Sequence, residues 1–162
     1  NVEHRLNTIH SAFSLPLDEI HLMTLPPRHC HRLFEGYKHE EEMDFLMKQL
    51  INLNQNRLYI IGSNQMGTMI SLPSLLKKKT LSYQSVFLID EEGSDLIDGG
   101  DYLCVTYRGN YEQSAYWGQQ LAQYAHAHKF KIRGDLLEIL WIDIHTTSDE
   151  SEYITQLQLP IA

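Results

Sequence analysis

Hydrophobic residues in this chain gather in short runs of strand length, and the most informative run is Leu136-Leu137-Glu138-Ile139-Leu140-Trp141-Ile142. Gly134-Asp135 precedes it and Asp143 follows it, which bounds a strand rich in branched and aromatic residues. Alternation puts Glu138 on one face with Leu136, Leu140 and Ile142, and Leu137, Ile139 and Trp141 on the other. Both faces are apolar, as in a central strand covered on two sides. An ionised carboxylate there is costly unless it is paired, hydrogen-bonded or protonated. Either the protein supplies its partner or a bound molecule does, and the second option organises the reading that follows.

The rest of the chain predicts two similar halves. Residues 19–34 read as extended, broken by Pro26-Pro27, with Gly36 closing the stretch. Glu40-Glu41-Glu42 suits the first turn of a helix whose apolar stripe is Met43, Leu46, Met47 and Leu50. A short strand over 58–61, a loop over 62–73 and a strand over 83–90 complete that half, and Glu91-Glu92-Gly93 turns the chain. The second half opens with a strand over 102–108. Asn110 then caps a helix with Gln113 at the third position, and the helix runs to about His128. Trp117, Leu121 and Tyr124 form one stripe, with Ala115, Gly118, Ala122 and Ala125 beside it. The Glu138 strand and a last strand over 154–161 follow.

Laid over one another at an offset of 73, Phe34-Glu35-Gly36 falls on Tyr107-Arg108-Gly109, and Leu58 falls near the start of the Glu138 strand. The expected fold class is therefore α+β: duplicated β-α-β-β units in one antiparallel sheet, two helices on one face and a ligand pocket on the other. Glu138 is expected at that pocket, facing away from the helices. In front of it, Val2, Leu6, Ile9 and Phe13 make the a/d seam of an N-terminal helix over 1–14. That helix is either the end of a coiled-coil linker or a terminal helix packed on the domain at 15–162. The chain begins with Asn1, which points to a piece of a longer protein.

A net charge of −8, with Lys77-Lys78-Lys79 as the only basic run, excludes the basic footprint of a nucleic-acid surface. With 43% hydrophobic and 21% charged residues the composition is globular rather than disordered. No run is long enough to span a membrane and no signal peptide is visible. Cys30 and Cys104 have no redox or metal spacing, which points to a reducing, cytoplasmic setting. In a strand His29 and His31 share a face that Cys30 leaves, and His126 and His128 lie on different sides of a helix, so no metal site is expected. No phosphate-cradling glycine loop or activated nucleophile stands out, and neither a cofactor nor a catalytic residue is assigned.

The stretches Tyr102-Leu-Cys-Val-Thr-Tyr-Arg-Gly-Asn-Tyr111, Gly134-Asp-Leu-Leu-Glu-Ile-Leu-Trp141 and Glu152-Tyr-Ile-Thr-Gln-Leu-Gln-Leu-Pro-Ile161 resemble the GyrI-like effector-binding domain that lies behind the DNA-binding part of MerR-type multidrug-responsive activators. The resemblance covers roughly 20–161 and is clearest in the second half. It implies a pocket for amphipathic, often cationic or aromatic, compounds with a glutamate at its floor, the position Glu138 matches. It also implies a homodimer joined by a coiled coil, which the seam at 1–13 fits, with DNA contacted only by a domain outside this chain. One departure is the 62–79 region, longer and richer in Met than the pattern leads one to expect.

The candidate ligand-binding residues are Glu138, Tyr107, Leu136, Leu140 and Ile142, with Met66 and Met69 as a flap. Trp141 and Trp117 are excluded by the face each is expected to occupy, and Tyr102 by its opposite parity to Tyr107. The leading function is the sensor domain of a transcriptional regulator that takes hydrophobic, cationic or aromatic small molecules. The alternatives are a small-molecule hydrolase on the same fold, with Glu138 as general base, and a stand-alone protein-binding inhibitor module. The seam at 1–13 argues against the last.

Overall fold

The computed structural model describes residues 15–33, 65–77, 81–142 and 148–162, apart from the side chains of Leu33 and Ile142. The seam over 1–13, the helix beginning at Glu40 and the strand over 58–61 lie outside the described residues.

Pro26-Pro27 divides the first extended stretch into β1 (His21–Leu25) and β2 (Arg28–Leu33), because proline has no N–H to give to a ladder. The chain continues as β3 (Met66–Ile70), the short helix α1 (Leu72–Leu76), β4 (Tyr83–Ile89), β5 (Asp95–Ile97) and β6 (Gly100–Arg108). Helix α2 (Gln113–Ala127), β7 (Leu136–Ile142), a 3-10 turn at Glu150–Glu152 and β8 (Ile154–Ile161) complete it. The strands form one antiparallel sheet in the order β1-β6-β8-β7-β3-β4-β2-β5. Within it, β6-β8-β7 and β2-β4-β3 repeat one arrangement and meet at the β7–β3 seam. The expected duplication is therefore present. Its first unit differs in detail, because 62–73, read as loop, contains β3 and the start of α1. Met66-Gly67-Thr68-Met69-Ile70 carries little strand propensity of its own. It is extended because β4 and β7 pair with it on both sides, which no local signal announces.

The sheet curls. Arg28 on β2 donates from Nη1 to Gln158 Oε1 on β8 at 2.8 Å, although β4, β3 and β7 lie between those strands in the sheet. Curling separates two cores. Inside the curl lie Cys30, Phe87, Tyr102, Cys104, Leu137 and Ile139. On the other face Leu103, Val105, Tyr107, Leu136 and Leu157 pack beneath Leu75 of α1 and Leu121 of α2.

Helix α2 buries Ser114, Gly118, Leu121 and Ala125, a narrow stripe of mostly small residues at spacings of four, three and four. Gly118 is needed for the fit: a Cβ there would stand 2.7 Å from Leu75 Cδ1 and 3.0 Å from Leu136 Cδ2. The helix begins later than expected. Asn110 Oδ1 accepts from the Glu112 N–H at 3.1 Å and Gln113 Nε2 donates to the Arg108 carbonyl at 2.8 Å, so both side chains tie the entry turn rather than form a capping box. At the other end the Phe130 N–H reaches the Ala125 carbonyl at 2.8 Å across Lys129, whose φ is +59°. A side chain in that left-handed conformation costs about 1 kcal/mol. Lys129→Gly is therefore expected to raise the unfolding free energy by about 0.5–1 kcal/mol in urea titration, the gain being reduced by the freer unfolded chain.

Candidate functional site

The β7–β3 register sets Thr68 opposite Glu138, Met66 opposite Leu140 and Ile70 opposite Leu136, so these six side chains share one face. Close approach at this seam requires Gly67, where a Cβ would stand 2.7 Å from the Glu138 carbonyl oxygen and 2.4 Å from Phe87 Cζ. Glu138 has no exposed surface. The Thr68 hydroxyl donates to Oε1 at 3.0 Å and the Ser114 hydroxyl to Oε2 at 2.5 Å. Ser114 Oγ also lies 2.5 Å from Tyr107 OH; with the Ser114 proton committed to the carboxylate, the phenol is the donor. The result is a chain of hydroxyls from β6 through α2 to β7, closed from β3. Hydrogen bonds of this kind favour a charged carboxylate and offset the loss of its hydration.

This arrangement corrects one expectation about orientation. Glu138 lies on the helix-bearing face, in contact with α2, and not on the face turned away from the helices. Trp117, packed on the same core, is thus on its side of the sheet, while Trp141 lies with the curl. The reason is the pairing: Leu136 is drawn under Gly118, and alternation carries Glu138 to the same side two residues later.

Tyr107 joins Glu138 through Ser114, and Tyr102 has the opposite parity. Leu136 is packed under α2, and Leu140 and Met66 are buried opposite one another beside Glu138. Met69 is not brought to this site. It is a strand residue facing the curl, where its Sδ accepts from Arg32 Nη2 at 2.9 Å, so Met66 and Met69 do not act together as a loop flap. The register shifts between Leu140 and Ile142, which removes the parity argument for Ile142, and its side chain lies outside the described set.

Two partners were not read from the sequence. Ser114 carried a weak signal as the polar member of the small-residue stripe of α2, whereas Thr68 became relevant only through register.

The curl holds cations instead. Arg28 lies over the Tyr102 ring at 5.5 Å, and its partner Gln158 donates to Gln156 at 2.7 Å, which donates to Thr106 at 3.3 Å. Burial pushes the Cys30 thiol up to about 11 and the Cys104 thiol up to about 12, against the opposing pull of nearby arginine. His31 Nε2 is 2.8 Å from Asp90 Oδ2, and among the described residues no three His, Cys, Asp or Glu side chains are placed to hold an ion.

The sequence matches no protein-family model and no curated protein. Solved structures match the fold. The regulator EcmrR in its DNA complex superposes with a TM-score of 0.68 at 14% identity, over 99% of this chain and 64% of that one. The EcmrR C-terminal domain gives 0.61 at 15% identity, over 89% and 97%. The fold is GyrI-like. This chain thus spans less than two thirds of the EcmrR chain in that complex and nearly all of its C-terminal domain. Two further structures of similar fold are a hydrolase from Listeria innocua (TM-score 0.54, 12% identity, 94% and 96% covered) and SAV2435 bound to tetraphenylphosphonium (0.50, 13%, 89% and 94%). Among the described residues no helix is long and apolar enough to cross a membrane.

Two outcomes test the packing of this GyrI-like domain. Ser114→Ala withdraws a donor from a buried carboxylate and is expected to cost about 1–3 kcal/mol in urea unfolding. Ellman's reagent at pH 8 is expected to leave both thiols unmodified in the native protein and to titrate two after denaturation, because a buried thiol is neither accessible nor ionised.

Proposed function

We propose that this chain is the effector-binding domain of a cytoplasmic transcriptional regulator, taking hydrophobic small molecules that carry positive charge or aromatic rings. The observation that carries the reading is a fully buried carboxylate that accepts hydrogen bonds from hydroxyls of both repeats, at the seam where they meet. Leu136, Leu140 and Met66 lie beside it, and a carboxylate in such apolar surroundings suits a lipophilic cation. The fold shared with SAV2435, a protein bound to tetraphenylphosphonium, and with the regulator EcmrR supports it. Tyr107 contributes its ring and, through Ser114, the orientation of the carboxylate.

In this reading DNA is contacted by a domain outside the chain and the full protein works as a homodimer. Regulation follows from linkage. A cation drawn to Glu138 competes with the Ser114 and Thr68 hydroxyls, so it favours the arrangement of α2 and β3 in which their loss costs least.

A second reading, hydrolysis, is favoured by the Tyr107–Ser114–Glu138 relay and by the likeness to the Listeria hydrolase. There Glu138 would act as general base towards water or a bound electrophile.

Calorimetric titration with tetraphenylphosphonium separates the readings. Glu138→Gln is expected to weaken the cation by about 10-fold to 100-fold, a loss of about 1.4–2.8 kcal/mol, while affinity for neutral triphenylphosphine oxide changes less than about threefold. Equal losses for both compounds would remove the charge-pairing role. Turnover of activated esters that disappears in Glu138→Gln would favour the enzyme.

A further inference from the structure

A cleft of about 570 Å³ opens between α1 and α2, within the range of about 300–1,000 Å³ typical of small-molecule sites. One wall is Leu72, Leu75 and Leu76 of α1, and Phe130 and Ile132 lie at one end. The other wall is α2, which presents Gln119, Gln123 and His126 at helical spacing beside Ala122. Among the described residues the lining contains no Asp, Glu, Lys or Arg.

The cleft is a built feature rather than a gap between loose elements. Helix α1 has five residues, too few to be stable alone. Three contacts fix it: Asp135 Oδ1 accepts from the Leu72 N–H at 3.0 Å, Ser74 Oγ bonds the Ser71 carbonyl at 2.8 Å, and Ser74 Oγ accepts from the Ser82 N–H at 3.0 Å. Leu75, fully buried against Gly118, forms the floor where the helices touch. Leu76, which also lines the cleft, is 54% exposed.

We infer that this cleft is a second small-molecule site, separate from Glu138, for a neutral hydrophobe with a polar edge. A leucine wall facing an amide-and-imidazole stripe matches a molecule that is apolar on one side and hydrogen-bonding on the other. Among the described lining residues an ion would lose hydration without meeting an opposite charge, so the lipophilic cations proposed for Glu138 are disfavoured here. The cleft does not depend on the function proposed for Glu138. Its position nonetheless joins the two: α1 follows Thr68 by four residues, and α2 carries Ser114 in its first turn.

The test titrates the full chain with N-phenyl-1-naphthylamine, a neutral probe that fluoresces on leaving water. Saturable enhancement is expected, and Ala122→Phe, which fills the cleft, is expected to weaken the probe at least tenfold. Leu76→Lys, at an exposed position that leaves folding unchanged, is expected to weaken it several-fold. Glu138→Gln should alter it less than twofold, and the His126 ring protons should shift in NMR spectra as the probe binds. The site is overturned if Leu76→Lys and Ala122→Phe bind the probe as wild type does, if Glu138→Gln abolishes binding, or if the His126 signals stay still. Dissociation of a dimer by Leu76→Lys, with no probe bound to wild type, would also overturn it and assign the cleft to a second copy.

Discussion

A fully buried carboxylate at the junction of two sheet halves demands that several independent parts of the chain agree. Its oxygens are met by Thr68 on β3 and Ser114 on α2, elements from different repeats. Both contacts require that β7 and β3 pair in one register, since a slip of a single residue would turn Glu138 into the curl and push Leu137 or Ile139 under the helices. They also require that α2 lie close enough for Ser114 to reach, which the Gly118 contact with Leu75 and Leu136 allows. Strand register, helix approach and side-chain chemistry are thus tied to one group whose burial is tolerable only when all three hold.

The two cores divide charge between them. Arg28 and Arg32 face the curl, where amide, hydroxyl and thioether groups and the Tyr102 ring receive them. Glu138 faces the helices. Because side chains alternate along each strand, the sheet itself stands between these arginines and the acid. On its own side, the Thr68 and Ser114 hydroxyls orient the Glu138 carboxylate.

The helix pair gives this acid a mechanical context. Ser114 in the first turn of α2 and Thr68 just ahead of α1 meet at the carboxylate, while the later turns of α2 and the leucines of α1 line the cleft.

Alternation and turn residues were enough to reveal β4, β6, β7 and β8, the division of β1 from β2 at Pro26-Pro27, the duplicated architecture, and a common side of the sheet for Glu138 and Tyr107. These are local or parity signals, and a strand whose both faces are buried announces itself by composition. Three matters belonged to the tertiary structure. Strand β3 has a Met- and Gly-containing sequence that becomes extended only between two partners, so its flap-like reading and the placing of Met69 beside Glu138 gave way. Ser114 and Thr68 became the ligands of the carboxylate through register and helix approach, which no spacing encodes. The face that α2 covers was settled by where Gly118 lets it seat, because alternation defines two faces without saying which one a helix will choose.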